Sequence, residues 1–91
     1  MRPQKPKLVA PRGACDTHMH FYDQSIPGAP GTFLPGHFPV EPYQAMQRLL
    51  GLERVIVVQP NAYVDDNRVT LDAMKKFGKN AKGVAVVKPG V

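Results

Sequence analysis

With 91 residues, 43% hydrophobic and 21% charged, the chain has the size and make-up of one small globular domain, not of a disordered segment. Its lone cysteine, Cys15, rules out an internal disulfide, and its longest aliphatic run, Val55 to Val58, is far too short to span a bilayer. The net charge of +5 gathers in the first twelve residues and at Lys75, Lys76, Lys79 and Lys82, without the interleaved aromatic residues of a single-strand nucleic-acid groove.

A free thiol and the lack of a signal-length apolar run near Met1 lead to the expectation of a cytoplasmic protein with neither a membrane nor a nucleic-acid partner. Residues 1–11 read as an extended lead-in punctuated by prolines. A short strand is predicted over about residues 13–18. The loop after it, "FYDQSIPGAPGTFLPGHFPV", is long and rich in proline and glycine, and loops of that length in a compact domain are commonly functional. A helix should begin near Glu41, with Pro42 tolerated in its first turn. Ala45, Met46, Leu49 and Leu50 recur at helical spacing, and Gly51 can end the helix.

"RVIVVQ" (54–59) is continuously apolar and β-branched, as in a parallel strand covered on both faces, and Pro60 stops it. Asp65, Asp66 or Asn67 can cap the next helix. Val69, Ala73, Met74 and Phe77 supply that helix's apolar face, and Gly78 can close it. "AKGVAVVKPG" reads as a third strand ended by Pro89-Gly90. The order β-loop-α-β-α-β calls for a parallel sheet with crossover helices. Three strands and two helices make only a half-covered sheet. The whole of residues 1–91 is therefore expected to be the N-terminal βαβαβ portion of a larger α/β fold, a (β/α)8 TIM-like barrel being one form.

"GACDTHMHFYD" places His18 and His20 one residue apart at the end of the first strand. Alternation would put Asp16, His18 and His20 on one face and Cys15, Thr17 and Met19 on the other, toward the helices. The C-terminal ends of strands are where parallel α/β folds gather their chemistry. Spaced about 6–7 Å along the strand, two such imidazoles can serve one metal ion or one substrate oxygen, or simply decorate an exposed strand. A zinc site needs three or four ligands. His37 reads as a solvated loop residue, Asp16 as a local hydrogen-bonding group, and Cys15 as core.

"DTHMHFYD" after a short first strand resembles the opening of the amidohydrolase superfamily. "LGLERVIVVQPNAYVDDN" and "KNAKGVAVVKPGV" resemble the second and third strand segments of its branch holding 2-pyrone-4,6-dicarboxylate lactonase and D-galactarolactone isomerase. The likeness covers nearly the whole chain, and its "Q-x-N…DN" pattern is more specific to this branch than the histidine pair. The resemblance implies a barrel and an enzyme acting on a small carboxylated lactone. It gives His18 and His20 as the catalytic pair, contacting the lactone carbonyl or carboxylate without a metal. Metal-dependent members of the superfamily would use the same pair for zinc or manganese. Asn61, with Tyr63 or Tyr22, is implied to hold the substrate. Tyr63 stands where the lactonase pattern has a histidine, and His18 where the isomerase pattern has a glutamine, so hydrolysis and isomerisation both stay open. The aspartate expected to activate water belongs to a later part of the barrel, so this stretch alone is expected to be inactive.

Overall fold

A computed structural model describes residues 6–89. The first five residues of the expected lead-in and the glycine of the Pro89-Gly90 turn lie outside them. In chain order the elements are strand β1 (Cys15–Met19), helix α1 (Val40–Leu50), strand β2 (Arg54–Val58), a 3-10 turn (Asn61–Tyr63), helix α2 (Arg68–Phe77), a second 3-10 turn (Gly78–Asn80) and strand β3 (Ala81–Val84). The sheet order is β1-β2-β3, and both pairings are parallel.

Alternation along β2 sets the layers. Val55 and Val57 are 1% and 0% exposed and face both helices, while Ile56 and Val58 are half-buried on the opposite face. The expectation of a strand covered on both faces is thus met on one face only among the described residues. Against Val55 and Val57 pack Val40 from α1 and Val69 and Ala73 from α2, joined by Phe21 and Tyr63. Phe21 also meets Tyr43 and Phe77, the three rings lying 5.4 to 6.0 Å apart in tilted or edge-on arrangements. Such pairs add about 0.5–1.5 kcal/mol each beyond their buried area.

α1 begins at Val40, two residues before Pro42. Pro42 falls in the first turn, where helical amides have no partner within the helix. The helix ends at Gly51, whose left-handed φ of 77° suits glycine, and the Gly51 amide donates to the Gln47 carbonyl. The stripe turned to the sheet is Val40, Tyr43 and Gln47, not Ala45 and Met46, which are exposed. One helix carries both stripes, and the contacts of Tyr43 with Phe21 and Asp16 select the first.

β3 ends at Val84, earlier than predicted. Beyond it the chain is held by a side chain instead of a strand: the Asn67 carboxamide donates to the Val86 carbonyl at 2.9 Å and accepts the Val86 amide at 3.2 Å. Asn67 occupies the N-cap position of α2 without making a capping hydrogen bond. Strands in sequential order, with both helices on one face of the sheet, form the arrangement that opens a barrel. A doubly wound sheet would reverse its strand order and place helices on both faces.

Candidate active site

β1 carries an irregularity that decides which side chains share a face. Asp16 pairs with Val55 and Met19 with Val57, so three residues of β1 span two of β2. The extra residue is a bulge, a device that re-aims side chains next to functional sites. Asp16 therefore lies on the helix side with Val55, and after the bulge Met19 lies there too, packed on the core. His18 and His20 point the other way. The expected trio of Asp16, His18 and His20 is thus a pair. Asp16 is instead a brace: its Oδ2 accepts the Tyr43 hydroxyl at 2.7 Å, and its Oδ1 accepts the His18 amide at 3.2 Å. Cys15, expected in the core, is only half-buried.

The imidazoles of His18 and His20 meet edge to face, 4.9 Å between centroids, at the C-terminal end of β1. His20 Nδ1 lies 2.9 Å from the Val58 carbonyl oxygen. A carbonyl only accepts, so Nδ1 carries the hydrogen and the rest of the His20 chemistry passes through Nε2. A neutral His20 there offers a lone pair, and the imidazolium offers a donor. His18 is exposed.

Both rings line one cavity of about 560 Å³, a volume in the range of small-molecule sites. Tyr22 and Asn61 line it as well, so four of the five predicted site residues come together. Tyr22 is tied by paired backbone hydrogen bonds to Phe38, both 3.0 Å, and its ring stands 6.5 Å from that of His20. Asn61 is exposed on the 3-10 turn after β2.

Tyr63, predicted as a substrate contact, has a different place. It is 2% exposed, lies outside the cavity lining, and its hydroxyl donates to the Asp23 carbonyl at 2.9 Å while accepting the Asp23 amide at 3.1 Å. Burial raises its phenol above the ordinary tyrosine value, so it remains a neutral clamp on the loop after β1.

Gln59 of the "Q-x-N" pattern also lines the cavity, but its side chain is engaged in the turn after β2. It is 5% exposed; its Nε2 donates to the Val64 and Asp66 carbonyls, and its Oε1 accepts the Thr70 hydroxyl at 2.6 Å. It holds the turn in which Val64 adopts a positive φ of 50°, uncommon for a β-branched residue. Asp66 pairs with Arg68 through two nitrogens, 2.7 and 2.9 Å, which lowers its carboxyl below the usual range. His37 stays exposed, its Nδ1 accepting the Gln24 amide. Phe33 and Pro35, not anticipated from the sequence, reach the same cavity from the loop. A hydrophobic residue in a proline-rich loop carries no signal of its own. Lys82 pairs with Ile56, and its neighbour Gly83 is turned to Met74 on the helix side, so Lys82 belongs to the sheet face of the two histidines.

Two imidazoles are half of a zinc site, and no group of three or more metal-binding side chains exists among the described residues. These residues do not by themselves fit a resident metal. Among the described residues no helix is long and apolar enough to cross a membrane.

The family profile described as amidohydrolase matches residues 15–91. D-galactarolactone isomerase from Agrobacterium fabrum is 40% identical over 85 residues, covering 90% of this chain and 29% of that protein. A 2-pyrone-4,6-dicarboxylate hydrolase from Comamonas testosteroni is 36% identical over 92 residues, covering 98% of this chain and 30% of its own length. The chain thus spans about three tenths of the length of the curated relatives it matches. A crystal structure of an Agrobacterium tumefaciens protein, solved in apo form, superposes with a TM-score of 0.82 at 38% identity, covering 93% of this chain and 31% of that one. The fold also matches a probable 2-pyrone-4,6-dicarboxylic acid hydrolase from Acinetobacter baumannii, whose structure holds citric acid, with a TM-score of 0.78 at 22% identity over 84% of this chain and 29% of that one.

Proposed function

The chain belongs to the amidohydrolase family, and from that premise we propose that it is the N-terminal part of a lactone-processing barrel enzyme that hydrolyses a small carboxylated lactone without a metal. The observation that carries this reading is the shared cavity of His18, His20, Tyr22 and Asn61 at the end of β1. His18 donates a hydrogen bond to the lactone carbonyl oxygen as negative charge builds there. His20, with Nδ1–H spent on Val58, donates from Nε2 in its imidazolium form. Donors placed at such an oxygen contribute about 3–4 kcal/mol each to the rate. Asn61 and Tyr22 hold the substrate. A carboxylate from a later part of the barrel removes a proton from water, the water oxygen bonds to the carbonyl carbon, and the ring C–O bond breaks as its oxygen takes up the proton that the carboxylate had removed.

The 40% identity to D-galactarolactone isomerase supports a second reading, isomerisation of a sugar-acid lactone at the same site. Assay of the full-length protein on pyrone dicarboxylate and on sugar-acid lactones separates the two. Turnover of one of them is expected, and His18→Ala or His20→Ala should lower kcat by about 10²–10³-fold with the fold retained. A folded protein that turns over neither lactone rejects both readings. Elemental analysis completes the test: one bound zinc or manganese ion per chain, with activity lost on chelation, would replace the metal-free mechanism. A reducing, cytoplasmic location is part of the proposal, in keeping with the lone half-buried thiol.

A further inference from the structure

The 3-10 turn after β2 has two tasks. Asn61 and Ala62 line the cavity of the histidine pair, while Ala62 and Tyr63 hold the loop that follows β1. That loop supplies Tyr22, Phe33 and Pro35 to the same cavity. Its far part is held by the turn's main chain: the Ala62 carbonyl accepts the Ala29 amide at 2.8 Å and lies 2.9 Å from the Thr32 hydroxyl. Its near part is held by a side chain. The Tyr63 hydroxyl donates to the Asp23 carbonyl and accepts the Asp23 amide.

A tyrosine hydroxyl both gives and accepts hydrogen bonds, so one oxygen can engage both main-chain groups of a residue. The Asp23 carbonyl has a second donor in the Ile26 amide, 2.9 Å away, and the Asp23 amide turns to Tyr63. Asp23 directly follows Tyr22. The paired backbone bonds of Tyr22 with Phe38 close the neck of the loop on itself. The Tyr63 hydroxyl fixes that neck to the turn after β2, with the Tyr22 ring 6.1 Å from that of Tyr63 and 6.5 Å from that of His20.

We propose that Tyr63 is a positioning residue for the reaction: by holding the Asp23 backbone through its hydroxyl, it fixes the neighbouring Tyr22 ring where that ring holds the substrate. Tyr63 itself is 2% exposed and outside the cavity lining, so it acts through Tyr22. This rests on the lactone reading above and adds a residue to its machinery. Tyr22 serves binding, while His18 and His20 stand at the end of β1, so loss of the hydroxyl bears on KM more than on kcat.

The test is a double-mutant cycle in the full-length protein: Tyr63→Phe, Tyr22→Ala and the two together. Tyr63→Phe keeps the buried ring and removes only the hydroxyl. Kinetics are measured on whichever of pyrone dicarboxylate and the sugar-acid lactones the parent turns over. Tyr63→Phe should raise KM about three- to tenfold and leave kcat within about twofold. In the Tyr22→Ala background the same change should move KM by less than about twofold, because the ring it positions is gone. Hydrogen exchange followed by mass spectrometry should show the Asp23 amide exchanging about threefold faster or more in Tyr63→Phe. An unchanged KM, an equal effect in both backgrounds, a loss confined to kcat, or unchanged exchange at Asp23 overturns the proposal. A general loss of packing would act alike in both backgrounds. Turnover with an indifferent Tyr63 rejects this role and keeps the lactone reading. A folded parent that turns over neither lactone rejects that reading, and this role with it.

Discussion

Tyr43 joins the helix layer to the strand that carries the two histidines through a single oxygen. It donates to Asp16, and Asp16 in turn accepts the backbone amide of His18. Burial first, then the Asp16 carboxylate as hydrogen-bond acceptor and as charge, push the Tyr43 phenol far above its ordinary value of 10.0. The unfolded chain ionises this phenol at its ordinary value while the folded chain keeps it neutral. The stabilisation is therefore fully present below pH 10 and is lost progressively as pH climbs above it toward the folded-state value. Urea unfolding of the full-length protein should show stability falling above pH 10, with a shallower fall in Tyr43→Phe. The same variant should lose about 1–3 kcal/mol at neutral pH, because Asp16 keeps its charge and loses a donor. Parallel pH curves for the two proteins would show that Tyr43 does not titrate as described. Tyr63 and Lys76 are also raised and bend both curves alike, so the difference between them isolates Tyr43.

Between elements, small residues and single side chains set the spacing. Gly83 on β3 faces α2 so closely that a Cβ would collide with the Met74 side chain. Gly83→Ala should cost about 1–3 kcal/mol in a denaturant titration, at the low end if the flexible Met74 swings aside. A neutral result would mean that α2 and β3 are not in contact there. The bulge in β1 and the Asn67 link to Val86 are of the same kind: each interrupts or replaces regular strand pairing. The local sequence pattern anticipated both helices and all three strands. It could not reveal the bulge, because an inserted residue leaves the apolar pattern of five residues almost unchanged while reversing every later side chain.

At the level of the whole molecule, one face of the sheet is covered by α1 and α2, and the other carries Ile56, Val58, Val84, Lys82 and the histidines. Val84 and Val87 are 51% and 76% exposed, and the outer edges of β1 and β3 have no strand partner among the described residues. Unpaired edges and an open apolar face favour self-association. Residues 1–91 expressed alone should bind a hydrophobic dye, sediment as aggregates and turn over no lactone, and the full-length protein should do none of the first two. A monomeric, dye-silent segment would show that this face is closed in some other way.

The order of elements and the histidine pair at the first strand end were determined by local sequence, because each depends on residues within a few positions of one another, and the parallel sheet follows from that order. Hydrophobic period, glycine and proline punctuation and the spacing of His18 and His20 are all short-range signals. Which groups share the cavity was decided only by tertiary structure. Asp16 turns to Tyr43 across 27 positions, Tyr63 to Asp23 across 40, and Thr32 to Ala62 across 30. The first joins α1 to β1, and the other two join the loop after β1 to the turn after β2; no periodicity within any of these segments records where its partner will lie.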